Sequence, residues 1–193
     1  RCEPTLAPPG TVRQDRCGAS AGENASARTR YLARAHEQSQ RLEGLVQSLL
    51  DLSRIEAAEA KSTFAPVDFA QLAREVGEQF ASRAEQADRS FTMNIPEDTL
   101  QVTGNDTQLR QVVINLLENA LKFTSSEDSV EVRASEDGQA IVIEVADSGG
   151  GIPPEDQPKI FEELYRGTNA RSTEGSGLGL ALVKRIIALH NGQ

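Results

Sequence analysis

The amino-acid sequence predicts an α+β protein, a two-layer α/β sandwich in which helices cover a mixed sheet, preceded by one long helix. Two observations carry this prediction. Apolar residues recur at helical spacing over residues 28–60, and after residue 64 short alternating strands and amphipathic helices follow one another in irregular order. Such an irregular order is typical of one helical layer packed on one sheet.

The composition of the 193 residues supports one ordinary domain with a helical extension. Hydrophobic residues make up 38% of the chain, but aromatic residues only 4%, so the core must be aliphatic. The net charge of -9 argues against nucleic acid or an anionic membrane surface as the main partner, because both require a basic patch. An acidic chain can still bind a nucleotide where a few cations and backbone amides converge.

Two further features concern the cellular setting. The cysteines, Cys2 and Cys17, form neither a disulfide framework nor a metal-binding spacing, which is typical of a reducing cytosol. No apolar run approaches the ~20 residues that cross a bilayer, so any membrane-spanning part would belong to a longer parent protein. Because the chain starts at Arg1 and stops at Gln193 within a turn signal, we interpret it as a fragment.

The N-terminal third of the chain changes character at about residue 28. Residues 1–27 are rich in Pro, Gly, Ala, Ser and Arg and lack apolar periodicity, so we predict disorder there. Residues 28–63 are predicted to hold an amphipathic helix that requires partner helices, as in a helical hairpin or a dimeric bundle. Its seam positions alternate in steps of four and three: Ala35, Ser39, Leu42, Val46, Leu49 and Ser53.

The middle of the chain begins with a break in the helical pattern. Residues Phe64–Phe69 are predicted to form a linker, because the proline within them ends the preceding helix. Asp68 is the expected N-cap of a helix over residues 69–86. Alternating runs at 90–95 and 99–104 then predict two strands around a proline-containing turn.

The second half of the chain alternates between helix and strand. Asp106 is expected to cap a helix over residues 107–124. Strands are predicted at 130–135 and 140–146, on either side of a glycine-containing turn. A glycine-rich and polar stretch follows, and the last helix is predicted over residues 178–190.

Three polar residues of the helix after Asp106 form the first candidate site. Asn115 and Asn119 are four residues apart and therefore share one helix face, with Lys122 three residues further on. Amide oxygens suit a hydrated Mg²⁺ that also holds phosphates, and an ammonium neutralises phosphate charge. The alternative is that these side chains only decorate a solvated face.

The segment Asp147–Pro153, the first glycine turn, is the second candidate site. A carboxylate at the end of an apolar strand can accept a hydrogen bond from an exocyclic amine. The three glycines that follow allow the backbone to approach a flat ring closely. Without Asp147 at its head, the segment would be an ordinary turn.

The segment Gly175–Leu180, the second glycine turn, opens the last helix and is the third candidate site. Exposed backbone amides at a helix N-terminus bind anions. It matches neither a dinucleotide-binding fingerprint nor a P-loop.

Between the two turns, Ile160–Gly167 begins a polar loop with Arg166 and Arg171. This loop is predicted to be a mobile lid with cations for phosphates, or else an ordinary surface loop.

The order and spacing of these four elements resemble the N, G1, F and G2 boxes of the histidine-kinase catalytic domain. That domain has the Bergerat ATP-binding fold, shared with gyrase, the Hsp90 chaperones and MutL. The strings QLRQVVINLLENALKF and GSGLGLALVKRII look specific to the kinases, and RLEGLVQSLLDLSRIEAA is similar to the second helix of the kinase dimerisation hairpin. The resemblance implies a degenerate segment over 1–27, a dimerisation helix over 28–63 and a C-terminally truncated catalytic domain over 64–193.

The resemblance also implies which residues bind ATP. Asn119 would hold Mg²⁺, with Asn115 and Lys122 near the phosphates, and Asp147 would bind the adenine amine. The other residues implied in ATP binding are Phe123, Gly149, Gly151, Ile152, Phe161, Arg166, Gly175, Gly177, Leu178 and Gly179.

The activity implied by the resemblance is that of a protein-histidine kinase. The γ-phosphate of ATP would pass to a His and then to an Asp of a response-regulator receiver domain. In gyrase-like ATPases a Glu that activates water occupies the position of Asn115, and an amide cannot act as that base, so transfer is favoured over hydrolysis. The chain would form a homodimer through the helix over 28–60 and would be the cytoplasmic domain of an inner-membrane sensor protein.

The chain departs from this family at the phosphoacceptor. The stretch that matches the S-H-E-L-R-T-P pattern, Glu3–Val12, contains no His, and His36 and His190 lie in other contexts. We hypothesise that residues 1–27 derive from a frameshift or a damaged reading of the acceptor helix. Two alternatives stay open: a non-catalytic module that binds nucleotide and dimerises, and another Bergerat-fold ATPase or serine kinase.

Overall fold

The computed structural model describes residues 28–33, 35–36, 38–39, 42, 44, 46, 50, 64–170 and 175–193. The chain divides into two compact units, Arg1–Leu42 and Glu43–Gln193. The predicted disorder of residues 1–27, the seam positions Leu49 and Ser53, and the lid residue Arg171 lie outside the described residues.

The described residues between 28 and 50 are helical, as their periodicity predicts. Their large apolar side chains are exposed, with Tyr31 and Leu42 at 72% and 62% of full exposure. Exposed apolar side chains on the described positions of this helix are what a helix that requires partner helices would show. Among the described residues, no helix combines the length and the apolarity that a bilayer crossing demands.

The predicted linker is wrong, because Ala65–Asp68 forms a strand, β1. It pairs antiparallel with β3, Gln101–Gly104, so that Pro66 stands opposite Thr103. Proline is tolerated in an edge strand, where not every ladder hydrogen bond is needed. Pro66, which ends the helical pattern in the sequence, thus also lies within a short edge strand.

Helix α1 spans Phe69–Gln86, the range that the sequence predicts. Asp68 is its N-cap, as predicted, and its side chain accepts a hydrogen bond from the Gln71 N–H at 3.2 Å. The buried face of α1 includes Leu72 and Val76, which anchor the helix in the main core.

The two strands predicted around a proline-containing turn do exist, but they do not pair with each other. β2, Ser90–Asn94, pairs in parallel with β4, Ser129–Asp137, which in turn pairs antiparallel with β5, Ala140–Asp147. The three-stranded sheet therefore has the mixed order β2-β4-β5, and β3 belongs to the separate two-stranded sheet with β1. An alternating pattern identifies strands but leaves their partners open, because pairing depends on which faces are buried.

Helix α2 spans Asp106–Phe123, and its N-cap is Asn105, which corrects the prediction of Asp106. The Asn105 side chain accepts from the Gln108 N–H at 3.0 Å. Asp106 lies in the first turn, where its carboxylate is 3.6 Å from the Arg110 guanidinium. Asn and Asp cap helices about equally well, so the sequence alone does not decide between neighbours.

The main core lies where α1 and α2 cover the sheet. Val130 and Val132 of β4 are fully buried against apolar side chains of both helices.

Helix α3, Gly179–Leu189, begins after its N-cap Leu178 and ends at the C-cap His190, close to the predicted range. It packs on α2 through a second cluster formed by Val112, Leu182, Val183 and Ile186.

We predict that Leu117→Ala destabilises the domain, because Leu117 of α2 is 0% exposed in the main core. A buried Leu→Ala change costs about 2–5 kcal/mol through lost burial and cavity formation. Thermal or denaturant unfolding of the 193-residue chain measures this loss. Val142→Ala on β5 is the control, since Val142 is 36% exposed and should cost clearly less. Equal losses at both positions would contradict the description of the core.

Candidate functional site

The candidate site is built on the C-terminal half of α2. Asn115 is only 8% exposed, whereas Asn119 and Lys122 are half-buried. Within the described part of the chain, the Asn115 Nδ2 has no hydrogen-bond partner. A buried amide donor without a partner is costly, so this atom is suited to a ligand or an ordered water.

The second glycine turn lies directly against these side chains. A Cβ at Gly179 would be 3.2 Å from Asn115 Oδ1 and 4.0 Å from Asn119 Nδ2. The absence of a side chain at Gly179 thus allows the N-terminus of α3 to approach both amides. Leu178, which precedes it, is buried, and its N–H donates to the Ser176 hydroxyl at 3.2 Å.

Lys122 faces the start of the same turn. A Cβ at Gly175 would lie 2.2 Å from the Lys122 Nζ, and Gly175 has a φ of +146°. The same ammonium lies 5.1 Å from the centre of the Phe123 ring, within cation–π range. The ammonium of Lys122 and the backbone of the second glycine turn therefore lie close together, with Gly179 beside the two asparagines.

The first glycine turn meets the C-terminal end of α2. Asp147 ends β5 and is exposed, and its Oδ1 accepts from the Gly149 N–H at 3.0 Å. A Cβ at Gly149 would lie 2.3 Å from the Phe123 carbonyl oxygen. Asp147 is therefore held next to the last turn of α2. Phe123, in that last turn, is one helical turn beyond Asn119.

The remainder of the first glycine turn is open to solvent. Gly151 has a φ of +67°, a conformation that favours glycine, and Ile152 is 46% exposed. The Gly151 carbonyl accepts a hydrogen bond from Asn169 Nδ2 at 2.9 Å, which connects the turn to the loop that follows.

The lid loop, defined here as residues 154–174, carries two predicted site residues. Phe161 is 42% exposed, and Arg166 is half-buried with its Nη2 donating to the Ala170 carbonyl at 2.5 Å. Two short 3-10 turns, Gln157–Lys159 and Thr168–Ala170, give the described part of the loop local structure.

Sequence reasoning missed Asp156, a buried carboxylate in the lid loop with 3% exposure. The hydrogen bond from the Tyr165 hydroxyl, at 2.7 Å, is the main reason that the pKa of Asp156 lies below its usual range. The Thr168 N–H and hydroxyl donate to its other oxygen at 2.9 and 3.1 Å and lower the pKa further. In the sequence nothing distinguishes Asp156 from the exposed Glu155 beside it.

A separate cleft of about 330 Å³ lies near the N-terminal end of α2. Its charged lining residues are Asp68, Glu75, Asp106 and Arg110. Arg110 is twelve residues before Lys122, or about 18 Å along the helix axis, so this cleft is distinct from the candidate site.

Comparison with known proteins identifies the family of this domain. The family of histidine kinase-, DNA gyrase B- and HSP90-like ATPases matches residues 104–193. The sensor protein kinase PmrB of Pseudomonas aeruginosa is 36% identical over 170 residues, which cover 88% of this chain and 35% of PmrB. The chain therefore spans about a third of this relative's length.

Solved structures agree with the sequence relatives. The mycobacterial sensor histidine kinase MprB aligns with a TM-score of 0.57 and 32% identity, covering 66% of this chain and 82% of that one. ShkA in complex with AMPPNP aligns at 0.67 and 31% identity, covering 83% and 33%. The histidine kinase ThkA in complex with the response regulator TrrA aligns at 0.64 and 25% identity, covering 84% and 44%.

The fold and the family match define the ATPase class that histidine kinases, DNA gyrase B and HSP90 share. Within that class, the chain belongs to the bacterial sensor histidine kinases and carries their ATP-binding catalytic domain. The predicted fold class and family are thereby confirmed.

We predict that Gly149→Ala damages the site, because the new methyl group would overlap the Phe123 carbonyl at 2.3 Å. Overpacking against backbone costs about 1–3 kcal/mol, and the first glycine turn should move away from α2. Gly150→Ala is the matched control, since nothing lies within 4 Å of a Cβ at Gly150. Unfolding temperatures and ATP affinity of both variants measure the difference. If both variants have the same unfolding temperature and the same ATP affinity, the close approach of the first glycine turn to α2 does not matter for function.

Proposed function

We propose that this chain binds Mg-ATP between α2 and the two glycine turns and serves as the catalytic half of a protein-histidine kinase. The observation that carries the proposal is the convergence of Gly179 on Asn115 and Asn119, with the buried Asn115 Nδ2 left without a partner in the described residues. Backbone amides, an ammonium and two amides at one place suit a polyphosphate.

In this proposal the adenine lies at the first glycine turn. Asp147 accepts a hydrogen bond from the adenine amine, while Gly149, Gly151 and Ile152 border the ring. Asp147 and Ile152 are exposed, so their surfaces are available for such contacts. The AMPPNP complex of ShkA, a structural relative, supports an ATP-like ligand.

The phosphates lie between the last turns of α2 and the second glycine turn. Lys122 neutralises phosphate charge, the amides of Gly175, Gly177 and Gly179 bind phosphate oxygens, and Arg166 supplies a second cation. Asn119 would hold Mg²⁺ through its amide oxygen, which is a ligand type that this ion prefers. A Mg²⁺ ion held there would supply positive charge to neutralise phosphate charge.

The reaction that fits these residues is transfer of the γ-phosphate. Asn115 is buried beside the phosphate region and cannot remove a proton from water, so the site lacks a base there for hydrolysis. Positioning and charge stabilisation are the contributions that remain to this domain, and they suit phosphoryl transfer to a His.

The acceptor His comes from outside the described site. His190 has both ring nitrogens engaged, Nε2 with the Asn105 N–H at 3.1 Å and Nδ1 with the Ile186 carbonyl at 2.8 Å. His36 lies on the exposed N-terminal helix. We therefore propose that another chain or the intact parent protein supplies the acceptor.

We propose the remaining partners on the same basis. The exposed apolar side chains of the described part of the N-terminal helix support dimerisation through residues 28–60. The domain limits 1–27, 28–63 and 64–193 stay a prediction from the resemblance. The complex of ThkA with TrrA supports a response-regulator receiver domain as the final acceptor. A need for ATP is consistent with a cytoplasmic position of this domain in a membrane-bound sensor protein.

We expect Asn119→Ala to abolish binding of Mg-ATP, because the variant lacks the proposed metal ligand. Calorimetric titration with ATP, with and without Mg²⁺, measures the effect. Thr107→Ala is the control, since Thr107 is an exposed residue of the same helix near its other end. Retained Mg²⁺-dependent binding in Asn119→Ala would rule out the metal role.

We expect the chain to incorporate γ-labelled phosphate only when an intact dimerisation hairpin with its His is added, because the stretch Glu3–Val12, which matches the acceptor motif, contains no His. The label should be acid-labile, as phosphohistidine is. No label in either case would favour a non-catalytic nucleotide-binding module, an alternative that the missing acceptor motif supports. Acid-stable label would favour a serine kinase.

A further inference from the structure

One buried charge in the lid loop has no role in the mechanism above. Asp156 is 3% exposed, although carboxylates are rarely buried without a structural or functional reason. It lies between the two glycine turns and ten residues before Arg166, the lid cation of the proposed phosphate site.

Among the described residues, the side chain of Asp156 accepts its hydrogen bonds from the short stretch around Arg166. The Tyr165 hydroxyl donates to one carboxylate oxygen at 2.7 Å, and the Thr168 N–H and hydroxyl donate to the other at 2.9 and 3.1 Å. All three partners are donors, so the ionised carboxylate is the form that satisfies them together. Hydrogen bonds to a charged acceptor are also stronger than neutral ones.

The backbone around Asp156 is closely fitted to the carboxylate. A Cβ at Gly167 would lie 2.7 Å from Asp156 Oδ2. Residues 165 to 168 therefore wrap around the carboxylate, with the Arg166 side chain turned to the Ala170 carbonyl of the same turn. The position of Arg166 is thereby coupled to the carboxylate through both of its neighbours.

The same stretch also touches the second glycine turn. A Cβ at Gly177 would lie 2.7 Å from the Tyr165 carbonyl oxygen, and Gly177 has a φ of +74°. Tyr165 thus contacts Asp156 with its hydroxyl and lies against Gly177 with its backbone. A displacement of Tyr165 would disturb both the cation and the glycine amides on the phosphate side of the site.

From this geometry we propose that Asp156 is a positioning residue that holds Tyr165 and Thr168, and through them Arg166 and Gly177, against the phosphates of ATP. The proposal rests on the proposed function of the site and adds which part of the nucleotide this residue helps to recognise. Asp156 acts on the recognition of the triphosphate and leaves adenine recognition at the first glycine turn unaffected, because Asp147 and Gly149 are fixed separately by α2.

The test compares ATP with adenosine as ligands of the full chain carrying Asp156→Asn. The amide keeps the shape of the carboxylate but presents an N–H₂ group where an acceptor is needed. We expect the affinity for Mg-ATP to fall about tenfold, the effect of losing one charge-assisted hydrogen bond, while the affinity for adenosine stays within about twofold. Glu155→Gln is the matched control, since it removes the same charge from the exposed neighbouring residue.

A second variant tests the linkage through Tyr165. Tyr165→Phe removes one donor and keeps the carboxylate, so it should weaken ATP binding less than Asp156→Asn and leave adenosine binding unchanged. Since both changes break the same contact, the double variant should bind ATP no more weakly than Asp156→Asn alone.

The outcomes separate this inference from the function on which it rests. Equal losses for ATP and adenosine in both variants, or no loss in either, would overturn the positioning role. Additive losses in the double variant would overturn the linkage through Tyr165. Failure of the wild-type chain and of Glu155→Gln to bind ATP would instead overturn the proposed function, and this inference with it.

Discussion

The close approach of backbone to α2 is the constraint on which the site depends. Gly149 lies against the C-terminal end of α2, where a side chain would collide with the Phe123 carbonyl. Gly179 lies beside the asparagines of α2, where a side chain would crowd Asn115. The two glycine turns come from opposite ends of the lid loop, so one helix brings together segments that are far apart in sequence. Because α2 is anchored by Leu117 and Val113 in the main core, the site inherits the rigidity of that core.

Local signals in the sequence were sufficient for most of the fold. The range of α1 and its cap Asp68 follow directly from apolar periodicity and capping chemistry, because both depend on neighbours in the chain. The partner of β2 cannot be predicted in this way, because β4 lies beyond β3 and α2 in the chain and no local pattern encodes which strands pair. β1 was missed because Pro66 argues against a strand unless the strand is known to be at an edge.

The site shows the same division. Asn115, Asn119 and Lys122 share a helix face, and helical spacing alone predicts that they lie together. Asp156 could not be predicted, because its importance arises only when the lid loop folds back and buries it against Tyr165. Residues whose role depends on a folded loop have no periodicity to reveal them.

The parallel pairing of β2 with β4 has a consequence for how the molecule acquires its structure. Ser90 pairs with Ser129, so the central strand can join β2 only after the intervening segment, including α2, has been made and brought into position. Such distant pairings carry a loop-closure cost and slow folding relative to helical bundles. During synthesis, α1 and β2 leave the ribosome before β4 does, so the sheet can close only after most of the catalytic domain has been made.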